Sequence, residues 1–372
     1  MTVGDKAIER AAVPGGRLAF IDALKAFGAQ FIVLHHLAYY GPMSDGAHRL
    51  WPEFMGWLAQ DARIAVQVFL VVAGFLAAQS LAPSGVLRAP HPLVLLGRRY
   101  LRTVLPYLAA LLVSIVCSAL ARHWMVHDSI PEAPGLGQFL AHALLLHSVL
   151  GVDSLSAGVW YVAIDIQLFA LALGLLWLAR VFGGGWVLGC TLLCLAVLAS
   201  LFGFNLDPDW DVWAPYFLGS YGLGMLAYWA GGARRSRVGL AGMASLVLVV
   251  SLALGVDFRS RIAVALAVAV ALWAARRGDW LAVWPRSKVL AHFGQMSYAV
   301  FLLNFPVSLV VTAFFTRFVA PDPWLQSAGV VLAWLACNLA GHWFYLKVER
   351  PLGRWQGRLL RPDTAVTSSG RV

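Results

Sequence analysis

A chain of 372 residues of which 60% are hydrophobic and only 12% charged, with a mean hydropathy of +0.74, excludes a soluble globular protein, which carries about 25% charged residues and needs a polar shell. The net charge of +10 does not mark a nucleic-acid binder, because the basic residues stand in short clusters between apolar runs, where they set membrane orientation. The four cysteines (Cys117, Cys190, Cys194 and Cys337) lie inside those runs as small hydrophobes and imply neither a disulfide framework nor a metal site.

The first sixteen residues are polar and carry no cleavable signal, so the first apolar helix is expected to remain as an anchor. Spanning a hydrocarbon core of about 30 Å takes roughly 20 apolar residues. Ten segments meet this: 18–40, 62–82, 103–122, 159–181, 185–204, 213–231, 237–256, 259–276, 291–316 and 325–347. With the N-terminus inside, 21 of the 28 basic residues fall at inner ends and six in outer loops, while 11 of the 18 acids fall outside. The expected fold is therefore all-α, a polytopic membrane helix bundle of about ten transmembrane helices, N-in and C-in. Within the long outer loop, 136–150 is apolar but too short to span, and is read as a re-entrant or interfacial segment covering an outward-facing pocket. No internal repeat is found, and 363–372 reads as a short disordered tail.

Ionisable groups inside such helices are expensive, so each one is a functional candidate. Lys25 sits near the cytoplasmic edge of the first helix, and His36 lies eleven residues on, about 16 Å along the axis. An imidazole titrates close to neutrality and suits general-base work. His35 points about 100° away around the helix and cannot serve the same site equally. Trp160 and Tyr161 open the fourth helix as interfacial aromatics, with Asp165 about one turn deeper. Asp165 needs a partner, and His36 is the expected one, a carboxylate that orients an imidazole and stabilises its cation. A histidine hydrogen-bonded between helices for packing, and a structural ion pair of Asp165 with Arg63 or another helix-end base, are the alternatives. Arg99 and Arg102, one turn apart at an inner helix end, can present two guanidinium forks to phosphates, although alone they read as an orientation signal. Glu349-Arg350-Pro351 closes the last helix and Gly294-Gln295-Met296-Ser297-Tyr298 opens the ninth.

In order along the chain, six motifs resemble those of the acyltransferase-3 family of bacterial integral membrane acyltransferases. They are Lys25 with His36; Val68-Phe69-Leu70-Val71-Val72-Ala73-Gly74-Phe75; Arg99, Arg102 and Pro106; Trp160-Tyr161-Val162-Ala163-Ile164-Asp165; Ser297-Tyr298 through Asn304-Phe305-Pro306; and Glu349-Arg350-Pro351. Four positions depart from the family pattern. Lys25 stands for arginine, Ala73 for serine, Asp165 for glutamate and Asn304 for histidine. The last removes a titratable group but keeps a side chain that donates and accepts hydrogen bonds.

The resemblance implies a transmembrane acyltransferase domain over 18–351 between cytoplasmic tails 1–17 and 352–372, in the bacterial inner membrane. It implies transfer of an acyl group, acetyl above all, from cytoplasmic acyl-CoA as co-substrate to a hydroxyl of a cell-surface or periplasmic glycan or glycoside. His36 and Asp165 would be catalytic, while Lys25, Arg99, Arg102, Trp160, Tyr161, Ser297, Tyr298, Asn304 and Glu349 would bind substrate or acyl-CoA. No metal, bound cofactor or nucleic acid is expected. The partners are acyl-CoA, a sugar-containing acceptor and membrane lipid, with homo-oligomerisation left open. A transporter or flippase of a glycolipid or small glycoside, or an inactive scaffold, is the alternative, though the paired broken helices and repeats common in transporters are absent.

Overall fold

The computed structural model describes residues 17–88, 91–232 and 237–359, and among these it is built from helices without a strand. In chain order they are α1 (Ala19–Tyr39), α2 (Pro42–His48), α3 (Pro52–Gln60), α4 (Val66–Leu81), α5 (Pro92–Trp124), α6 (Leu136–Ala143), α7 (Trp160–Val181), α8 (Gly185–Phe202), α9 (Ala214–Gly232), α10 (Arg237–Val256), α11 (Ser260–Arg277), α12 (Lys288–Gln295), α13 (Ser297–Phe318), α14 (Pro323–Phe344) and α15 (Arg350–Leu359).

A long helix stands at each of the ten positions expected from the apolar runs. Seven of them, at 62–81, α5, α7, α8, α10, α13 and the stretch from Pro323 to Arg358, are long and apolar enough to cross a membrane. The other three, α1, α9 and α11, are more polar. For α9 the reason is its place: 15 of its 19 residues are buried by other helices, so little of it needs an apolar outer face. The ninth expected segment, 291–316, is divided at Met296 into α12 and α13. The α14 helix runs through a five-residue π turn, Tyr345–Glu349, into α15, so the first eight residues of the expected C-terminal tail are helical. The rest of that tail, and residues 1–16 of the N-terminal one, lie outside the described residues.

The centre of the bundle is the packing of α4 against α9. A Cβ on Gly74 would stand 1.8 Å from the Tyr221 carbonyl oxygen, and one on Gly224 would stand 2.0 Å from that of Val71. Only glycine lets the two backbones touch, which gives the glycine of the second motif a structural task.

The segment after α5 determines how the site is built. From Arg99 to Trp124, α5 rises by about 37 Å at 1.5 Å per residue. Yet α7 begins only five residues before Asp165, whose carboxylate bonds Arg99 at 2.6 Å. The chain between must descend beside α5, and its hydrogen bonds trace the path. In chain order, Arg122 donates to the Pro131 carbonyl, Tyr100 to that of Ala143 at 2.6 Å, and Ser114 to that of Leu155 at 2.7 Å, so the segment descends to the level of Tyr100 and rises part of the way back before α7. The apolar stretch read as re-entrant thus returns deep into the bundle, with α6 as its helical part.

Candidate active site

His36 lies near the C-terminal end of α1, buried among Tyr40, Phe305 and Asn304. Its Nδ1 is hydrogen-bonded to Asn304 Oδ1. The orientation of that amide follows from its other bonds. Asn304 Nδ2 donates to the carbonyls of Val300 (3.2 Å) and Phe301 (2.6 Å), so Oδ1 is the side facing the imidazole and can only accept. Nδ1 of His36 therefore carries the hydrogen, and Nε2 holds the free lone pair. His35, on the next position, turns away to the Leu58 carbonyl at 3.1 Å, as the helical period requires.

The end of the returning segment closes over this imidazole. Gly158 has φ +82°, and a Cβ there would stand 3.5 Å from His36 Cε1 and 3.3 Å from the Phe301 ring. Glycine is favoured by the left-handed backbone, while the added carbon would only touch the imidazole.

The expected pairing of His36 with Asp165 is not formed. It assumed that α7 starts at the outer interface, which would put Asp165 level with His36. Because α7 starts inside the bundle, Asp165 lies deeper and meets Arg99, Nη2 to Oδ2 at 2.6 Å. Neither Arg63 nor His36 is its partner, and the alternative reading, an ion pair with another base near a helix end, is the one formed. Trp160 and Tyr161 are likewise internal: Trp160 stacks on Phe217 at 5.5 Å, and Tyr161 packs between Phe69 (6.2 Å) and Phe301 (5.6 Å).

Around the Arg99–Asp165 pair gathers a second polar centre. Arg99 also lies 5.5 Å from the Phe169 ring centroid. Tyr161, Tyr221 and Tyr298 all stand within electrostatic reach of Asp165. The Tyr298 hydroxyl donates to the Thr103 carbonyl at 2.9 Å, next to the turn that Pro106 leaves short of a hydrogen bond. Ser297, fully buried, begins α13 beside it. The π turn after α14 brings in Glu349, whose carboxylate is acted on by Lys25, Arg102 and the Ala299 N–H. Arg99 Nε, Tyr221 Oη and Glu349 Oε2 are buried without a hydrogen-bond partner among the described residues.

The geometry thus gathers the sequence candidates into two centres. Arg99, Arg102, Lys25, Tyr161, Asp165, Tyr298 and Glu349 form the inner one, and His36 with Asn304 forms the other. Their separation is about 9 Å, the rise of six residues from Tyr298 to Asn304 along α13. Trp160 and Ser297 support the walls. Tyr221 was not foreseen; the polar Ser220-Tyr221 step inside the glycine-rich run 219–224 is the signal that carried it, and Ser220 donates to Gln67 at 2.6 Å across the same interface. No group of three or more metal-ligating side chains occurs among the described residues.

A family model described as an acyltransferase domain matches residues 18–343. No curated protein and no solved structure matches the chain. Since that single match takes in α1 through nearly all of α14, and so both polar centres except Glu349, the chain belongs to the acyltransferase-3 family and is a multi-pass membrane acyltransferase.

Proposed function

We propose that the protein moves an acyl group, acetyl in the first instance, from cytoplasmic acyl-CoA to a hydroxyl of a periplasmic or cell-surface glycan or glycoside, with all ten long helices crossing the inner membrane and both termini inside. The observation that carries this reading is the His36 Nδ1–Asn304 Oδ1 hydrogen bond, from which the tautomer of the ring is argued. A hydroxyl is a poor nucleophile until a base takes its proton, and Asn304 leaves Nε2 of His36 as the lone pair to do so. In the reaction the hydroxyl proton passes to Nε2 as the oxygen attacks the thioester carbonyl. The new C–O bond forms, the C–S bond breaks, and the proton leaves with the coenzyme A thiolate. Asn304 Oδ1 accepts from Nδ1–H throughout, and that bond strengthens when the ring becomes a cation.

Coenzyme A is polyanionic, and the inner centre favours its approach. Arg102 and Arg98 are exposed at the end of α5, and Lys25 faces Arg102 and Glu349. Arg99 contributes differently from the phosphate-binding role its motif suggests, because it is committed to Asp165. In this reading Asp165 and Arg99 shape the passage between the two centres, and His36 is the catalytic base.

The test is incubation of the purified protein with radiolabelled acetyl-CoA, wild type against His36→Ala. Label transfer or thioester cleavage that disappears in the variant is the expected result. Equal turnover in the two would overturn His36 as the base, and acetyl-CoA neither bound nor consumed by folded wild-type protein would overturn the donor.

A further inference from the structure

Away from both polar centres, α8, α9 and α10 enclose a groove of about 370 Å³, within the size range of small-ligand sites. Cys190 and Cys194 of α8, Leu226 of α9 and Gly242 and Leu246 of α10 line it. Its walls are peripheral helices, with Val187, Leu195, Leu240 and Leu248 exposed on them, so the groove opens on the surface that meets hydrocarbon. At one end it is bounded by Trp186 and Trp229, whose rings meet edge to face at 5.4 Å. Those two tryptophans also line a second cavity of about 350 Å³ with Pro83, Ser84, Gly232 and Arg276. Trp229 is held there by its Nε1–H bond to the Ala82 carbonyl at 2.7 Å.

Arg276 is the cation of this mouth. Its guanidinium lies 3.4 Å from the centroid of the Tyr228 ring, and no ion pair to it is found among the described residues. This end of the bundle also holds the start of α1, where Phe20 N–H donates to the Leu281 carbonyl, so it is the end that charge distribution predicts to be cytoplasmic. An apolar trough, a tryptophan pair at its rim and an unpaired arginine beyond the rim match the three parts of an amphiphile: chain, interface and anionic head.

We infer that this composite groove binds an anionic phospholipid, with one acyl chain between α8, α9 and α10 and the phosphate at Arg276. Inside a bilayer the chain contributes little preference, because competing lipid tails are equally apolar. The guanidinium pairs the phosphate through charge-assisted hydrogen bonds at the edge of a low-dielectric region, and selectivity for a net anionic headgroup comes from its repulsion of any cation carried beside that phosphate. The two cysteines act here as small apolar wall residues.

The experiment uses delipidated full-length protein in detergent, with thermal unfolding followed during titration with phosphatidylglycerol, phosphatidylcholine, glycerol phosphate or palmitoyl-CoA. Phosphatidylglycerol should stabilise the wild type and bind about tenfold more tightly than phosphatidylcholine, whose choline cation stands beside the same phosphate and is repelled by Arg276. Arg276→Gln should abolish that preference while Arg276→Lys retains part of it. Gly242→Leu tests the other half, because a Cβ at 242 meets nothing within 4 Å and the side chain enters the groove without a backbone clash; it should weaken both phospholipids. Equal phosphatidylglycerol binding by wild type and the Gln and Leu variants would overturn the site. So would glycerol phosphate stabilising as well as the lipid, which would leave an anion site alone, or palmitoyl-CoA displacing the lipid at lower concentration, which would assign the groove to an acyl donor.

Discussion

Replacing Asn304 by leucine tests the arrangement at His36 most directly. The substitution keeps a buried side chain of similar size on α13 and removes the one acceptor on Nδ1. Val300 and Phe301 lose only second donors to carbonyls that the helix itself can serve. Two effects follow. A buried imidazole N–H without a partner costs about 1–3 kcal/mol of stability, read as a lower melting temperature in detergent. In the reaction, the bond to the developing imidazolium is charge-assisted and contributes about 1.5–3 kcal/mol, so kcat for acetyl transfer or thioester cleavage should fall about 10- to 150-fold. The KM for acetyl-CoA should hold, because Asn304 lies in the other centre. Asn304→His, the residue commoner in the family, presents a ring nitrogen as acceptor and should recover most of the rate. A folded Asn304→Leu protein with wild-type kcat would refute the claim that Asn304 selects the working tautomer.

Three further outcomes are expected. Asp165→Asn leaves the Arg99 guanidinium without its anion and should cost about 3 kcal/mol in detergent stability; the double variant Arg99→Gln/Asp165→Asn should regain part of it, and strict additivity in that cycle would show that the two residues do not depend on one another. Gly74→Ala drives a Cβ against the Tyr221 backbone and should cost several kcal/mol or prevent folding, whereas Gly174→Ala, with nothing within 4 Å, should be neutral or stabilising; equal melting temperatures would refute the α4–α9 contact. In the returning segment, burial lowers His147 to about 4, and the neighbouring His142, stacked at 4.2 Å, pushes the same way. The folded state thus binds its proton later than the unfolded chain, so stability is full above about pH 6.5 and is lost as pH falls toward 4. His147→Phe should flatten the melting temperature between pH 7 and 5.

The positions of the helices were legible because a bilayer demands unbroken apolar runs, and each run in 18–347 carries a long helix. Which residues face one another was less so. Counting turns from the start of a helix gives depth only if that start lies at the interface, and α7 starts inside the bundle. The apolar stretch 136–150 announced the irregularity, but how far it descends is set by Tyr100, Ser114 and Arg122 bonding to its backbone, and no sequence pattern records such contacts. Asn304 reads in the sequence as a titratable group lost with hydrogen bonding kept. Which of its atoms His36 meets is legible only in the structure, where two carbonyls of its own helix hold the amide nitrogen.

The distribution of charge follows from the same geometry. Ions inside a membrane protein are costly unless paired, and the Arg99–Asp165 bond neutralises two of the five charged side chains of the inner centre, of which Arg102 is exposed. What remains is Lys25 and Arg102 against Glu349, an excess of one positive charge at the end predicted to be cytoplasmic. The His36–Asn304 centre has no acid among its direct partners. Under the proposed reaction these are the charges that each substrate requires. An anionic donor is drawn to the positive end, and a neutral hydroxyl meets a neutral base. With Asp165 committed to Arg99, the proposed base has a neutral amide rather than a carboxylate behind its Nδ1–H.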